Sequence, residues 1–144
     1  MTGDLGHGQE RMEAQERLRV RDRAIESSMN GIALTDPDGT VVYVNPAALR
    51  MWGFEEEPEV IGRGASEFWE DSELAREAFQ ETQARGAWRG EITAERKDGD
   101  TFPAEASLSQ VRDADGKCTH VLGVFLDVTR RKETEEDLRR SNEK

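Results

Sequence analysis

The sequence predicts an α+β domain in which two strands, a set of helices and three further strands follow in order, with an additional helix at each end. Three observations carry this. Turn residues cluster at separated stations, Asp36-Pro37-Asp38-Gly39, Lys97-Asp98-Gly99-Asp100 and Asp113-Ala114-Asp115-Gly116. The runs beside those stations are short and rich in β-branched and aromatic residues, as pleated, half-buried strands require. Residues 10–29 and 130–144 are instead charged and lack Gly and Pro, the composition of solvated helices.

Taken in order, residues 10–29 carry a thin apolar stripe, Met12, Ala14, Leu18, Ile25 and Met29, which suits a docked or paired helix. From Gly31 the period changes. Gly31–Thr35 and Thr40–Val44 form a hairpin, because Pro37 presets φ and Gly39 accepts the positive φ that follows. Asn45-Pro46 is an N-cap followed by proline at the first helical position, and the helix runs from Ala47 to Trp52 before Gly53. Pro58, Gly62 and Gly64 limit residues 54–70 to single-turn helices. Asp71-Ser72 opens a longer helix that places Leu74, Ala75, Ala78 and Phe79 on one face and stops at Gly86. Strands are expected over Ala87–Arg96, Thr101–Val111 and Cys118–Val128, joined by the two Asp-Gly turns. Phe102, Ala104, Ala106 and Leu108 alternate with polar residues, whereas Val121–Leu126 is apolar on both parities and reads as a central strand covered on both faces. The closing helix, Arg130–Lys144, has Leu138 as its sole large apolar residue and needs a neighbour to persist.

Composition narrows the function. The chain has 144 residues, room for one domain, and a formal net charge of −11. That balance argues against nucleic acid and against an anionic membrane surface, both of which call for a basic face. The acid excess and the preference for Arg over Lys suit a GC-rich or salt-adapted microbe. Cys118 is the only cysteine, so an intrachain disulfide is excluded and a reducing cytoplasm is expected. Neither a signal-peptide pattern nor a run long enough to cross a bilayer occurs.

The order of elements resembles the PAS domain family, and local motifs agree over residues 24–131: Asp36-Pro37-Asp38-Gly39, Tyr43-Val44-Asn45-Pro46-Ala47, Val60-Ile61-Gly62-Arg63, Trp88-Arg89-Gly90-Glu91, Arg96-Lys97-Asp98-Gly99, Phe102-Pro103 and Asp127-Val128-Thr129. The resemblance implies a five-stranded antiparallel sheet in the order 2-1-5-4-3, with helices from residues 46–85 on one face around a small apolar cavity. It divides the chain into an N-terminal flank (1–23), a PAS domain (24–129) and a C-terminal signalling helix (130–144). The implied function is a cytoplasmic sensor or relay module of a multidomain microbial regulator, such as a histidine kinase, with an output domain on the same chain. Homodimerisation through the N-terminal helix is expected. The alternatives are a ligand-free dimerisation module and a redox sensor holding flavin dinucleotide.

Resemblance also implies the sites. Pocket-lining residues would be Leu34, Val44, Leu49 and Trp52 from the hairpin and first helix, Phe68 and Phe79 from the helical stretch, and Ile92, Phe102, Leu108, Leu122 and Val124 from the last three strands. Ala65 stands where light-sensing members carry the cysteine that bonds flavin mononucleotide, which excludes that adduct. Residues 71–85 hold no histidine for a haem, and His7 and His120 are bystanders. Flavin dinucleotide, another small organic ligand and a plainly packed core stay open, since aromatics fill cores more often than they grip cofactors. No metal-ligand spacing, catalytic constellation or phosphate loop is present. A polar latch at the exit from the sheet is expected from Trp88, Glu91, Arg96 or Lys97, Asp127 and Thr129. Thr129 is expected to cap the closing helix, whose first turn, Arg130-Arg131-Lys132, opposes the helix dipole unless acids answer it.

Overall fold

The computed structural model describes residues 14–21, 23–24 and 29–142. Residues 14–21 form a helix, α1, whose side chains are all exposed, Leu18 and Val20 included. Of the stripe expected there, Met12 and Ile25 lie outside the described residues, as do His7 and residues 143–144. Met29 lies in a bend, past any helix, and is exposed.

The hairpin is β1 (Gly31–Thr35) and β2 (Val41–Val44). Asp36 Oδ1 accepts from the N–H groups of Asp38 (2.9 Å) and Thr40 (3.0 Å), and Gly39 takes the φ of +89° that the turn demands. Helix α2 (Pro46–Trp52) starts at Asn45. That asparagine does more than cap. Its Oδ1 accepts from Ala48 N (3.0 Å) and Ile32 N (2.8 Å), and its Nδ2 donates to the Asn30 carbonyl (3.0 Å), so a fully buried amide ties α2 to the entry of β1. Two 3₁₀ turns follow, Glu57–Glu59 and Ala65–Phe68. Helix α3 (Ser72–Arg85) is capped by Asp71, whose Oδ1 accepts from Leu74 N. Its inward stripe is Ala75, Ala78 and Thr82; Leu74 is exposed, a correction to the face expected from sequence. Helical spacing admits either stripe, and the small residues win because α3 lies close to the sheet.

The remaining strands are β3 (Ala87–Glu95), β4 (Thr101–Arg112) and β5 (Cys118–Asp127), and α4 (Thr129–Asn142) closes the chain. All pairings are antiparallel and the order is β2-β1-β5-β4-β3, with β5 central. Helices cover one face. Against it pack Ile92, Ala94, Phe102, Ala104, Ala106 and Phe125, all buried. The small residues among them let the helical layer approach closely. The other face of β5 is not covered as expected: Leu122 and Val124 are half-buried and Leu126 is 45% exposed. The two-sided apolar pattern thus marks centrality in the sheet, while the described residues bury only one of its faces.

Candidate functional site

Between the helical layer and the inner face of the sheet lies an apolar cavity of about 390 Å³. Its floor is an aromatic cluster set edge to face. Trp52 stands 5.5 Å from Trp69 and 5.3 Å from Phe125, and Trp69 and Phe125 are 5.4 Å apart. Trp52 Nε1 donates to the Phe68 carbonyl at 2.8 Å, so the indole enters the core with its polar atom satisfied. Gly123 makes room for this floor, since a Cβ there would lie 2.5 Å from the Phe125 ring.

Of the residues expected around the cavity, Val44, Leu49, Trp52, Phe68, Phe79, Ile92 and Leu108 line it. Phe102 stands behind the wall, its ring 5.2 Å from that of Trp52. Leu34, Leu122 and Val124 are corrected to the opposite face; Ala33, Thr35, Val121, Gly123 and Phe125 take their places. Two bulges explain the error. Counted from the Arg112↔Cys118 pair without interruption, Leu108 would oppose Leu122 and Ala106 would oppose Val124. A bulge between Val111 and Arg112 instead pairs Leu108 with Gly123 and Ala106 with Phe125. In the first hairpin, a bulge between Leu34 and Thr35 likewise pairs Val44 with Ala33. One residue of slip turns every side chain over.

Ala65 lines the cavity, whereas the lone thiol, Cys118, sits half-buried at the far end of β5. His120 is on the same strand, with Nδ1 3.1 Å from Thr119 Oγ1. Among the described residues no group of three His, Cys, Asp or Glu side chains could hold a metal ion, and no helix is long and apolar enough to cross a membrane.

The exit from the sheet is polar. Arg96 Nη2 lies 3.5 Å from Asp127 Oδ2, with its guanidinium 4.5 Å above the Phe102 ring. Asp127 Oδ1 accepts from Thr129 N at 2.9 Å and from the Thr129 hydroxyl. The capping side chain is therefore Asp127 rather than Thr129, which is already the first residue of α4. Glu91, Arg96, Asp127 and Thr129 do gather where α4 begins. Trp88 does not join them: it alternates with Glu91 along β3 and packs on the cavity side, against the core. Lys97, the expected alternative to Arg96, instead pairs with Glu59 and donates its backbone N–H to the Trp52 carbonyl.

Sequence reasoning missed Glu105 and Arg89. In the β3–β4 register Glu91 lies directly opposite Glu105, a like-charge pair that destabilises a sheet unless cations intervene. Arg89 Nε donates to Glu105 Oε1 at 3.0 Å. Arg131 Nη1 reaches Glu105 Oε2 at 3.3 Å and its Nη2 lies 3.9 Å from Glu91, while Lys132 pairs with Glu91. The hydrogen bonds from Arg89 and then Arg131 hold the Glu105 carboxyl below its ordinary range. A problem visible in the sequence, a basic first turn, and one visible only in the register, two facing glutamates, thus solve each other. Beyond that turn residues 133–140 of α4 are exposed, Leu138 included.

Comparison with known proteins agrees with this architecture. The profile of the PAS domain family matches residues 29–130. The nitrogen fixation regulatory protein of Klebsiella oxytoca is 25% identical over 111 residues, covering 73% of this chain and 22% of that protein, so the chain spans about a fifth of that relative. Among solved structures, an RNA-binding Light-Oxygen-Voltage receptor is similar with a TM-score of 0.72 and 34% identity, over 87% of this chain and 37% of that one. The PAS domain of an HTR-like protein from Haloarcula marismortui is similar with a TM-score of 0.67 and 27% identity, over 83% of this chain and 98% of that one.

Proposed function

The chain belongs to the PAS domain family, and from that premise we propose that it is the sensing module of a larger cytoplasmic microbial regulator, in which a small organic ligand in the cavity alters how α4 leaves the sheet. The observation that carries this reading is the placement of both sites on the same strands. Ala106 and Phe125 face the cavity, and Glu105, next to Ala106, and Asp127, two residues beyond Phe125, hold the first turn of α4. A ligand that spreads the inner face of β4 and β5 would change the spacing of the carboxylates that anchor Arg131 and Lys132. The output is then a population shift between docked and released α4, transmitted to an enzymatic or DNA-directed domain farther along the chain, as in a histidine kinase. The domain itself acts as a regulator and carries out no catalysis.

A cavity of this volume lies at the lower end of the ~300–1,000 Å³ range of small-molecule sites, which favours a compact ligand over a flavin dinucleotide. With Ala65 at the cavity wall, flavin, if taken up, would form no thiol adduct. Dimerisation through residues 10–29 fits the exposed Leu18 and Val20 of α1, and light scattering on chains with and without that segment tests it. The sensor reading is tested by amide hydrogen exchange with and without a cavity ligand. Protection should change after residue 129 while the β4 segment 101–111 stays protected. Equal loss in both regions would mean that the anchor is part of the core and relays nothing.

A further inference from the structure

The lip of the cavity has a charge pattern that the apolar interior does not explain. It is formed by the β1–β2 turn, with Asp38, and by α3, with Arg76, Gln80 and Gln83. Gln83 Nε2 donates to the Pro37 carbonyl at 2.6 Å and so pins the turn to the helix. Asp38 and Arg76 both line the opening and both are exposed, yet among the described residues they form no ion pair with each other or with any other side chain. The neighbouring Asp36 differs, because its carboxylate is consumed by the turn. One free anion and one free cation therefore flank the entrance to a space that only apolar groups can enter without a desolvation penalty.

That arrangement selects on charge. A simple anion gains Arg76 but meets Asp38, within a chain of net charge −11. A simple cation meets the reverse. A molecule bearing both charges at one end and an apolar group at the other satisfies every part. The wall also contains a buried hydroxyl, Thr35 Oγ1, beside the same turn and without a hydrogen-bond partner, which a bound molecule can supply.

We propose that the cavity binds a free α-amino acid with a large apolar side chain. Its carboxylate pairs with Arg76, its ammonium with Asp38, and its side chain enters among Trp52, Trp69 and Phe125. This inference rests on the sensor reading above and names the class of its ligand. It implies that the parent regulator reports the supply of such amino acids.

Calorimetric titration of the full chain with L-phenylalanine, L-tryptophan, 3-phenylpropionate and phenethylamine tests it. One of the two amino acids should bind with unit stoichiometry, and the compounds lacking either charge should bind about tenfold more weakly or worse, the scale of one charge-assisted contact. Arg76→Gln should weaken amino-acid binding but not that of phenethylamine, which it relieves of a like charge; Asp38→Asn should weaken amino-acid binding but not that of 3-phenylpropionate, for the same reason. Both positions are exposed, so the folded state is retained, as circular dichroism would verify. Absence of binding by both amino acids, or equal binding of 3-phenylpropionate and phenylalanine, would overturn the proposal. Its failure is separable from that of the sensor reading: an amino acid that binds without altering exchange after residue 129 supports this inference and refutes relay. Another compound that alters exchange where amino acids do not bind refutes this inference alone.

Discussion

The two faces of the sheet are built from the same three strands and obey different physics. On the inner face, Ile92, Ala94, Phe102, Ala104, Ala106 and Phe125 are dry and are held by packing against α2 and the aromatic floor. On the outer face, one residue away along each strand, Glu91, Glu105 and Leu126 meet solvent, and charges organise the start of α4. Stability and adjustability therefore reside on opposite sides of the sheet. Packing in a dense interior is costly to disturb, whereas exposed ion pairs are weak and screened. In the proposed relay, a signal entering on the inner side would be read on the outer side without unfolding the domain.

Breaking the inner face should have the largest effect. Trp52 is 6% exposed and touches Trp69, Phe102 and Phe125. Trp52→Ala should cost about 3–5 kcal/mol in urea unfolding, the range for deleting a buried aromatic. A loss near that of a surface substitution would show that the floor of the cavity is not the core. Next comes Asn45, where the hairpin meets α2. Asn45→Ala leaves the N–H groups of Ile32 and Ala48 without acceptors, at about 1–3 kcal/mol each. Because the loss falls on buried donors, Asn45→Asp should recover part of it, and equal destabilisation by both would assign the effect to shape.

Asn45 also marks the limit of what the sequence disclosed. Its place before Pro46 made the helix cap legible, because capping is local. Its bonds to Ile32 and Asn30 were not legible, because they depend on how the chain returns. The same divide runs through the whole molecule. Turns, caps and helix ends follow from adjacent residues, and element order with family motifs supplied the sheet topology. The lining of the cavity followed only in part, since two bulges reversed the parity of Leu34, Leu122 and Val124. At the exit, the cationic first turn of α4 announced a need for acids. Its answer in Glu91 and Glu105 required the β3–β4 register.

At the exit from the sheet and on its outer face the effects should be smaller and local. Asp127→Ala removes the acceptor for Thr129 N and the partner of Arg96, and should cost about 0.5–2 kcal/mol, the scale of a helix cap. Glu105→Gln should leave the urea midpoint nearly unchanged while raising exchange in residues 129–135, since it weakens the contacts to Arg89 and Arg131 together. Arg131→Gln should mimic it. If Glu105→Gln lowers the protection of residues 101–111 instead, the outer charges are part of the fold and the contrast between the faces collapses.

The smallest expected effect concerns the charge pair that ties the helical layer to the sheet from outside. Glu59 is hydrogen-bonded first by Lys97 and then by the N–H groups of Glu56 and Glu55, and these contacts bring its carboxyl from 4.5 down to about 2. Between those values the unfolded chain binds a proton that the folded chain does not, so stability must rise with pH there. The contribution is complete above 4.5 and is lost as pH falls through about 2. The shift of Lys97 upward from 10.5 describes the same contact from the other partner, present below that value and lost only as alkali rises through its elevated range. Because both side chains are partly exposed, salt and water screen the pair, and Lys97→Met should change stability little near neutrality. It should, however, flatten the acid limb of the urea midpoint between 4.5 and about 2, where other carboxylates titrate alike in both proteins. The backbone N–H of Lys97 still reaches the Trp52 carbonyl in the variant, so the aromatic floor keeps its support. Superposable acid limbs would mean that Glu59 is held by its own turn alone, and that no charge outside the cavity braces the wall within.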